Sequence, residues 1–231
     1  MKIIVRSILL SLLLSATISV LAQRPSAINQ TDANGRKTGY WEARHTNGTI
    51  RYTGNFHNDK PIGEFRYYYE DGTLRATNVF SNNGLKAIHT AYSQQGKRLA
   101  EGIYFDQKKD STWRFYSDTD GVLVSIESYR NDKAHGESLI FYPGTEQIAE
   151  IVHFSNGQRN GAWLKYYENG NILTEGSFQN DQLHGPITFY HLDGKIHIKG
   201  QYQEGLKSGI WQTFDEDGKL TEQENYQERG F

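Results

Sequence analysis

His135 and His184 are the histidines whose setting most invites a chemical reading, since each stands directly before a glycine, Gly136 and Gly185. A shared metal is the chemistry such a pair would suggest. The equivalent places elsewhere in the chain hold Thr38, Ile62, Lys86, Asp110, Asn160 and Ser208, so position in a repeat accounts for both histidines without a metal. Asp118-Thr119-Asp120-Gly121 and Asp215-Glu216-Asp217-Gly218 resemble fragments of a calcium loop. Neither continues to the bidentate Glu that completes such a loop, and Asp-Gly is what a tight turn itself requires. Glu70, Glu168 and Asp217 could serve as acid and base of a glycoside hydrolase only if a cleft held two of them about 5 to 10 Å apart, and nothing marks one pair as special. The chain has no cysteine, no G-x-S-x-G elbow and no phosphate-cradling loop, which leaves thiol, acyl-transfer and nucleotide chemistry without residues to perform them. The expectation is a protein that is not an enzyme and needs no cofactor or metal.

These residues are carried by a repeating unit. Gly39, Gly63, Ala87, Ser111, Gly136, Gly161, Gly185 and Gly209 fall in register at spacings of 24, 24, 24, 25, 25, 24 and 24 residues, which makes eight repeats. A fixed period of this length marks units that bury their apolar faces by stacking on neighbours. In the clearest copy, two runs rich in aromatic and β-branched residues flank Asn169-Gly170, a dipeptide suited to the positive φ angles of a two-residue type I′ turn. Each repeat is therefore a β-hairpin, joined to the next by a second polar turn such as Asn58-Asp59, Asn131-Asp132 or Asn180-Asp181. The predicted fold is all-β, an extended antiparallel meander of about eight tandem hairpins. Repeats three to five are the least regular: His89 replaces the tryptophan of other copies, Ser111 replaces the glycine, and Pro143-Gly144 reads as a shorter turn.

Pairing Glu168 with Asn171 runs back to place Trp163 opposite Gly176 and Gly161 opposite Phe178. Facing residues share one side of a sheet, so Gly161, Trp163, Lys165 and Tyr167 lie with Ile172, Thr174, Gly176 and Phe178 on face A. The repeat residues of this face are Gly39, Trp41, Gly63, Phe65, Trp113, Gly136, Gly161, Trp163, Gly185, Gly209 and Trp211, with Gly170 at the turn. The opening glycine is expected to leave room for a cross-strand ring. Face B is mostly polar, with one aromatic per repeat from the second on: Tyr68, Tyr92, Tyr116, Phe141, Tyr166, Tyr190 and Phe214, with Arg44 in the first copy. That stripe is either a ladder that stiffens the sheet or a binding surface, since a tyrosine offers a flat apolar face and a polar tip.

Residues 1–22 have a basic start at Lys2 and Arg6, an apolar run from Ile8 to Leu21, and Val20 and Ala22 before Gln23. They read as a secretory signal peptide, the apolar run being shorter than the roughly 20 residues of a spanning helix. Residues 23–38 read as a flexible lead-in and 39–231 as the repeat array. Export to the periplasm, the cell surface or the medium follows. A formal net charge of −2 with no basic stripe gives no support to nucleic acid as a partner.

The pattern G-x-W-x-x-Y-Y-x-N-G-x-x-x-x-x-G-x-F, as it stands from Gly161 to Phe178, resembles the MORN repeat family, and more closely the bacterial variant found in YwqK-type proteins, often described as antitoxin components. The resemblance implies a rod-like array of hairpins that acts as a protein-binding or scaffolding surface, with no catalytic residues. A glycan or membrane lipid is the alternative partner, and end-to-end pairing of two chains through an exposed edge strand is a further expectation.

Overall fold

The structure, a computed structural model, describes residues 27–226; the expected signal peptide lies outside them. Eight hairpins follow one another in a single antiparallel meander. They comprise β2 (Lys37–Arg44) with β3 (Ile50–His57), β4 (Lys60–Tyr68) with β5 (Leu74–Ser81), β6 (Lys86–Tyr92) with β7 (Arg98–Phe105), and β8 (Lys108–Tyr116) with β9 (Leu123–Arg130). β10 (Lys133–Phe141) then pairs with β11 (Ile148–Ser155), β12 (Gln158–Tyr166) with β13 (Ile172–Gln179), β15 (Gly185–Tyr190) with β16 (Ile196–Gln203), and β17 (Leu206–Phe214) with β18 (Leu220–Tyr226). β14 (Gln182–Leu183) leads into β15. At the start, β1 (Gln30–Thr31) covers one end of β2, and the Asn29 side chain both accepts from the Glu42 N–H (2.8 Å) and donates to its carbonyl (3.0 Å).

The expected strand register holds, with Trp163 opposite Gly176, Gly161 opposite Phe178, and Gly63, Gly185 and Gly209 opposite Phe80, Tyr202 and Tyr226. The turns are the reverse of what was expected. At the hairpin tip the Gly170 N–H donates to the Tyr167 carbonyl (2.9 Å) and the Tyr167 N–H to the Asn171 carbonyl (2.8 Å), which closes a three-residue loop with only Gly170 at positive φ, +86°. The two-residue turns with both φ positive lie between repeats, at Asn58 and Asp59 (+52°, +65°), Asn131 and Asp132 (+51°, +64°), and Asn180 and Asp181 (+50°, +67°). Register survives because Leu173 is an extra residue between Ile172, opposite Tyr166, and Thr174, opposite Lys165. That bulge offsets the longer loop. It also moves Ile172 from face A, where it was expected, to a place across from Tyr166 on face B. The turn after Phe141 is longer and not shorter, running from Tyr142 to Gln147.

A second irregularity sits at the opening position of most repeats. Between the pairs Val152 with Trp163 and Phe154 with Arg159 the register slips by two residues on β12, around Gly161 at φ +112°. Equivalent slips accompany Gly63, Ser111, Gly136 and Gly209. The packing reason expected for this glycine is thus replaced by a conformational one: at Gly39 (φ +69°) and Gly63 (φ +65°) nothing lies within 4 Å of where a Cβ would stand. Ala87 escapes the requirement because β5 and β6 pair without a slip and are joined through a 3-10 turn at Asn82–Gly84.

Glycines that do make room for rings lie on the return strands, beneath the following repeat. A Cβ on Gly54 would stand 2.4 Å from the Phe65 ring, on Gly102 2.3 Å from Trp113, and on Gly200 2.3 Å from Trp211. Where the following repeat has His89 or Ser138 in the ring position, the return strand carries Asn78 or Glu127 instead. Rings so lowered onto backbone form the core. Phe65, Ala76, Ala87, Trp113, Val152, Phe178, Ile187 and Trp211 are buried, all on face A, and edge-to-face contacts such as Phe65 with Phe80 (5.2 Å) and Tyr104 with Trp113 (4.8 Å) link them.

Candidate interaction surface

All seven stripe residues, Tyr68, Tyr92, Tyr116, Phe141, Tyr166, Tyr190 and Phe214, are half-buried. The bulge on each return strand explains why, because it sets an aliphatic side chain directly across from the ring. Tyr68 pairs with Leu74, Tyr116 with Leu123, Phe141 with Ile148, Tyr166 with Ile172, Tyr190 with Ile196 and Phe214 with Leu220. Only Tyr92 faces a charge, Arg98. Face B thus bears a band in which rings alternate with aliphatics from strand to strand. A period-two reading of the hairpin cannot find the aliphatic half, since it assigns those residues to face A.

Two polar tips in the band are tethered. The Tyr116 hydroxyl donates to Glu101 (2.7 Å) and the Tyr190 hydroxyl to Glu175 (3.1 Å); burial raises both phenols above their usual range, and the accepting carboxylates raise them further.

A second stitch runs beside the band. In five repeats the residue after the stripe position reaches the carbonyl of the next stripe residue along the array: Tyr69 O–H to Tyr92 (2.8 Å), Tyr167 O–H to Tyr190 (2.8 Å), and Tyr142 O–H to Tyr166, with His45 and His191 ring nitrogens against Tyr68 (3.0 Å) and Phe214 (3.1 Å). Ser93 and Ser117 hold this position in repeats three and four and are too short for it. The second tyrosine of the Tyr-Tyr pair is the signal that could have revealed this role.

Face B is not mostly polar throughout, as was expected. In repeats four to six Ile126, Leu139, Ile151 and Leu164 stand opposite one another on four successive strands. Repeats one and two have a charged residue at this level, Glu42, which pairs with Arg44, and Arg66, which pairs with Glu64 (3.1 Å).

The groups first considered for chemistry serve the backbone. Asp120 Oδ1 accepts the Val122 N–H (3.0 Å) and Asp215 Oδ1 the Asp217 and Lys219 N–H groups (3.1 and 2.8 Å), which is the work of turn-capping acids. The Asn156 N–H lies 3.5 Å from the His135 ring, and the His184 carbonyl accepts from Ser177. Glu70, Glu168 and Asp217 are exposed at the tips. The shallow depression lined by Thr38, Gly39, Asn55, Phe56, His57, Ile62 and Gly63, about 390 Å³, contains no carboxylate. Among the described residues no three His, Cys, Asp or Glu side chains are placed to hold a metal ion. On face A, Glu127 accepts from the hydroxyls of Ser125 (2.8 Å) and Tyr129, whose own ionisation burial and this carboxylate push far up.

Compared with known families, the chain matches the MORN repeat variant at residues 61–82, 159–180, 183–204 and 207–228. Each match begins two residues before an opening glycine and covers one hairpin, so repeats two, six, seven and eight are MORN-type repeats. The search of curated proteins finds no match. The aliphatic row lies largely in repeats four and five, outside the matched segments.

Proposed function

We propose that this is an exported, non-catalytic repeat protein that binds another protein along face B, in the manner of the YwqK-type branch of MORN proteins. The observation that carries the reading is the band of rings and aliphatics on one face, interrupted by charge at Arg44 and Arg98 and widened by the aliphatic row in repeats four to six. Apolar bands of this extent on a polar chain characterise protein contacts, and aromatic anchors supply most of the affinity in such contacts. Export rests on the apolar run from Ile8 to Leu21. A second reading, a glycan-binding module, draws on the same half-buried rings, since a tyrosine offers a flat apolar face and a polar tip to a sugar.

The test is capture from an envelope extract with the chain from Gln23 onward, set beside a Tyr166→Ala, Tyr190→Ala double variant. A protein held by the first and lost by a folded double variant supports the proposal. Equal capture by both removes face B as the interface, and retention on cell-wall glycan without protein capture favours the second reading.

A further inference from the structure

Across repeats four to six, face B reads Arg114, Ile126, Leu139, Ile151, Leu164, Glu175 on six successive strands, each residue directly opposite the next. At about 4.8 Å between strands the row spans roughly 24 Å. Arg114 is exposed and makes no ion pair among the described residues, because its cross-strand neighbour Glu101 is held by Arg98 (3.0 Å) and by the Tyr116 hydroxyl (2.7 Å). Glu175 is exposed as well and accepts from Tyr190 (3.1 Å). An apolar row is thus closed by a free cation at one end and an anion at the other.

We infer that this row docks a second copy of the chain, face B against face B, about a two-fold axis parallel to the strands between β10 and β11. The order of the row dictates that geometry. Rotation about such an axis sets Arg114 against the partner's Glu175, Ile126 against the partner's Leu164, and Leu139 against the partner's Ile151. An axis perpendicular to the strands would instead set Arg114 against the partner's Arg114, which like-charge repulsion penalises. Because the chosen axis lies inside a hairpin, it exchanges outgoing and return strands, and rings meet aliphatics: Phe141 falls on the partner's Ile148. One level further along, Glu137 meets the partner's His153, extending the contact of 3.7 Å that these two residues make within one chain. Closed two-fold pairing through a self-complementary patch is the commonest form of homo-oligomer, and two such sheets pack face to face at about 10 Å. The chain ends suit pairing less well. The outer edge of β2 is taken by Asn29 to Thr31, and β18 carries Glu222 and Glu224, charges that blunt an edge strand.

The inference rests on face B being the interacting face, and a charge-swap experiment separates the two claims. Sedimentation velocity over a concentration series would be run on the chain, on Arg114→Glu, on Glu175→Arg and on the double reversal, with circular dichroism confirming the fold. The chain is expected to dimerise reversibly, each single reversal to weaken the dimer about tenfold or more, and the double reversal to restore it. If a single reversal unfolds the chain, Arg114→Gln is expected to weaken the dimer by a smaller factor. A monomer at every concentration, or a dimer insensitive to both charges, overturns the inference. A monomer that still captures a protein through Tyr166 and Tyr190 leaves the proposed function standing, whereas a charge-dependent dimer that captures nothing overturns that function alone.

Discussion

A glycine beneath a ring and a glycine in a left-handed backbone look alike in a sequence, and this chain uses both. Gly102 and Gly200 lie 2.3 Å, at the Cβ position, from Trp113 and Trp211, so Gly102→Ala and Gly200→Ala are each expected to destabilise by about 1–3 kcal/mol through overpacking. Ser111 occupies the opening position at φ +60°, where a side chain is strained, and Ser111→Gly is expected to raise stability by about 1 kcal/mol. Urea denaturation midpoints check both directions. The repeat spacing made the opening glycine conspicuous but could not supply its reason, since its role depends on a register slip that no residue pattern announces. The return-strand glycine became meaningful only once the ring above it proved to come from the next repeat. Charge acts at this scale too. Asp181 accepts the Arg159 backbone N–H (2.9 Å) and its guanidinium (3.2 Å), bonds that hold its carboxyl below the ordinary value of 3.8. A lowered folded value means that this contribution is present above pH 3.8 and is lost as pH falls through the folded value. Acid titration of Asp181→Asn should therefore lack that part of the stability loss.

Hairpins, as elements, are held to their neighbours by stitches along both long edges. At the inter-repeat turns, Asp59, Asp132 and Asp181 each accept a backbone N–H from the preceding repeat, at 2.8, 2.6 and 2.9 Å. At the tips, the hydroxyls of Tyr69, Tyr142 and Tyr167 do the matching work. Removing one hydroxyl, as in Tyr167→Phe, should cost about 1 kcal/mol. Because the chain is close to one-dimensional, the loss should appear as faster amide exchange confined to repeats six and seven. Repeats three and four have serines in place of the tyrosine, so the junctions they begin are expected to exchange fastest in the unmodified chain. Strand pairing was legible in the sequence down to single residues, although the turn chemistry was inverted. The agreement arises from two departures of one residue that cancel, the three-residue loop and the bulge at Leu173. What did not cancel was the facing of Ile172 and its equivalents, and with them half of the apolar band was hidden.

As a whole molecule, the array has one face paved with rings that bury themselves and another that leaves its rings and aliphatics partly open. Periodicity made the aromatic stripe readable. The aliphatic row was not, because it lies where the repeats degenerate, and departures from a pattern look like noise until Ile126, Leu139, Ile151 and Leu164 stand side by side. The central claim is that face B is where other proteins dock. Phe141 on face B and Ile140 on face A are chain neighbours on β10 pointing to opposite sides, and they permit a direct test. A photoreactive phenylalanine analogue would be placed at position 141 in one preparation and at position 140 in another, and each irradiated in envelope extract. Cross-linked protein from position 141 and none from position 140 is the predicted result; cross-links from position 140 alone would contradict it.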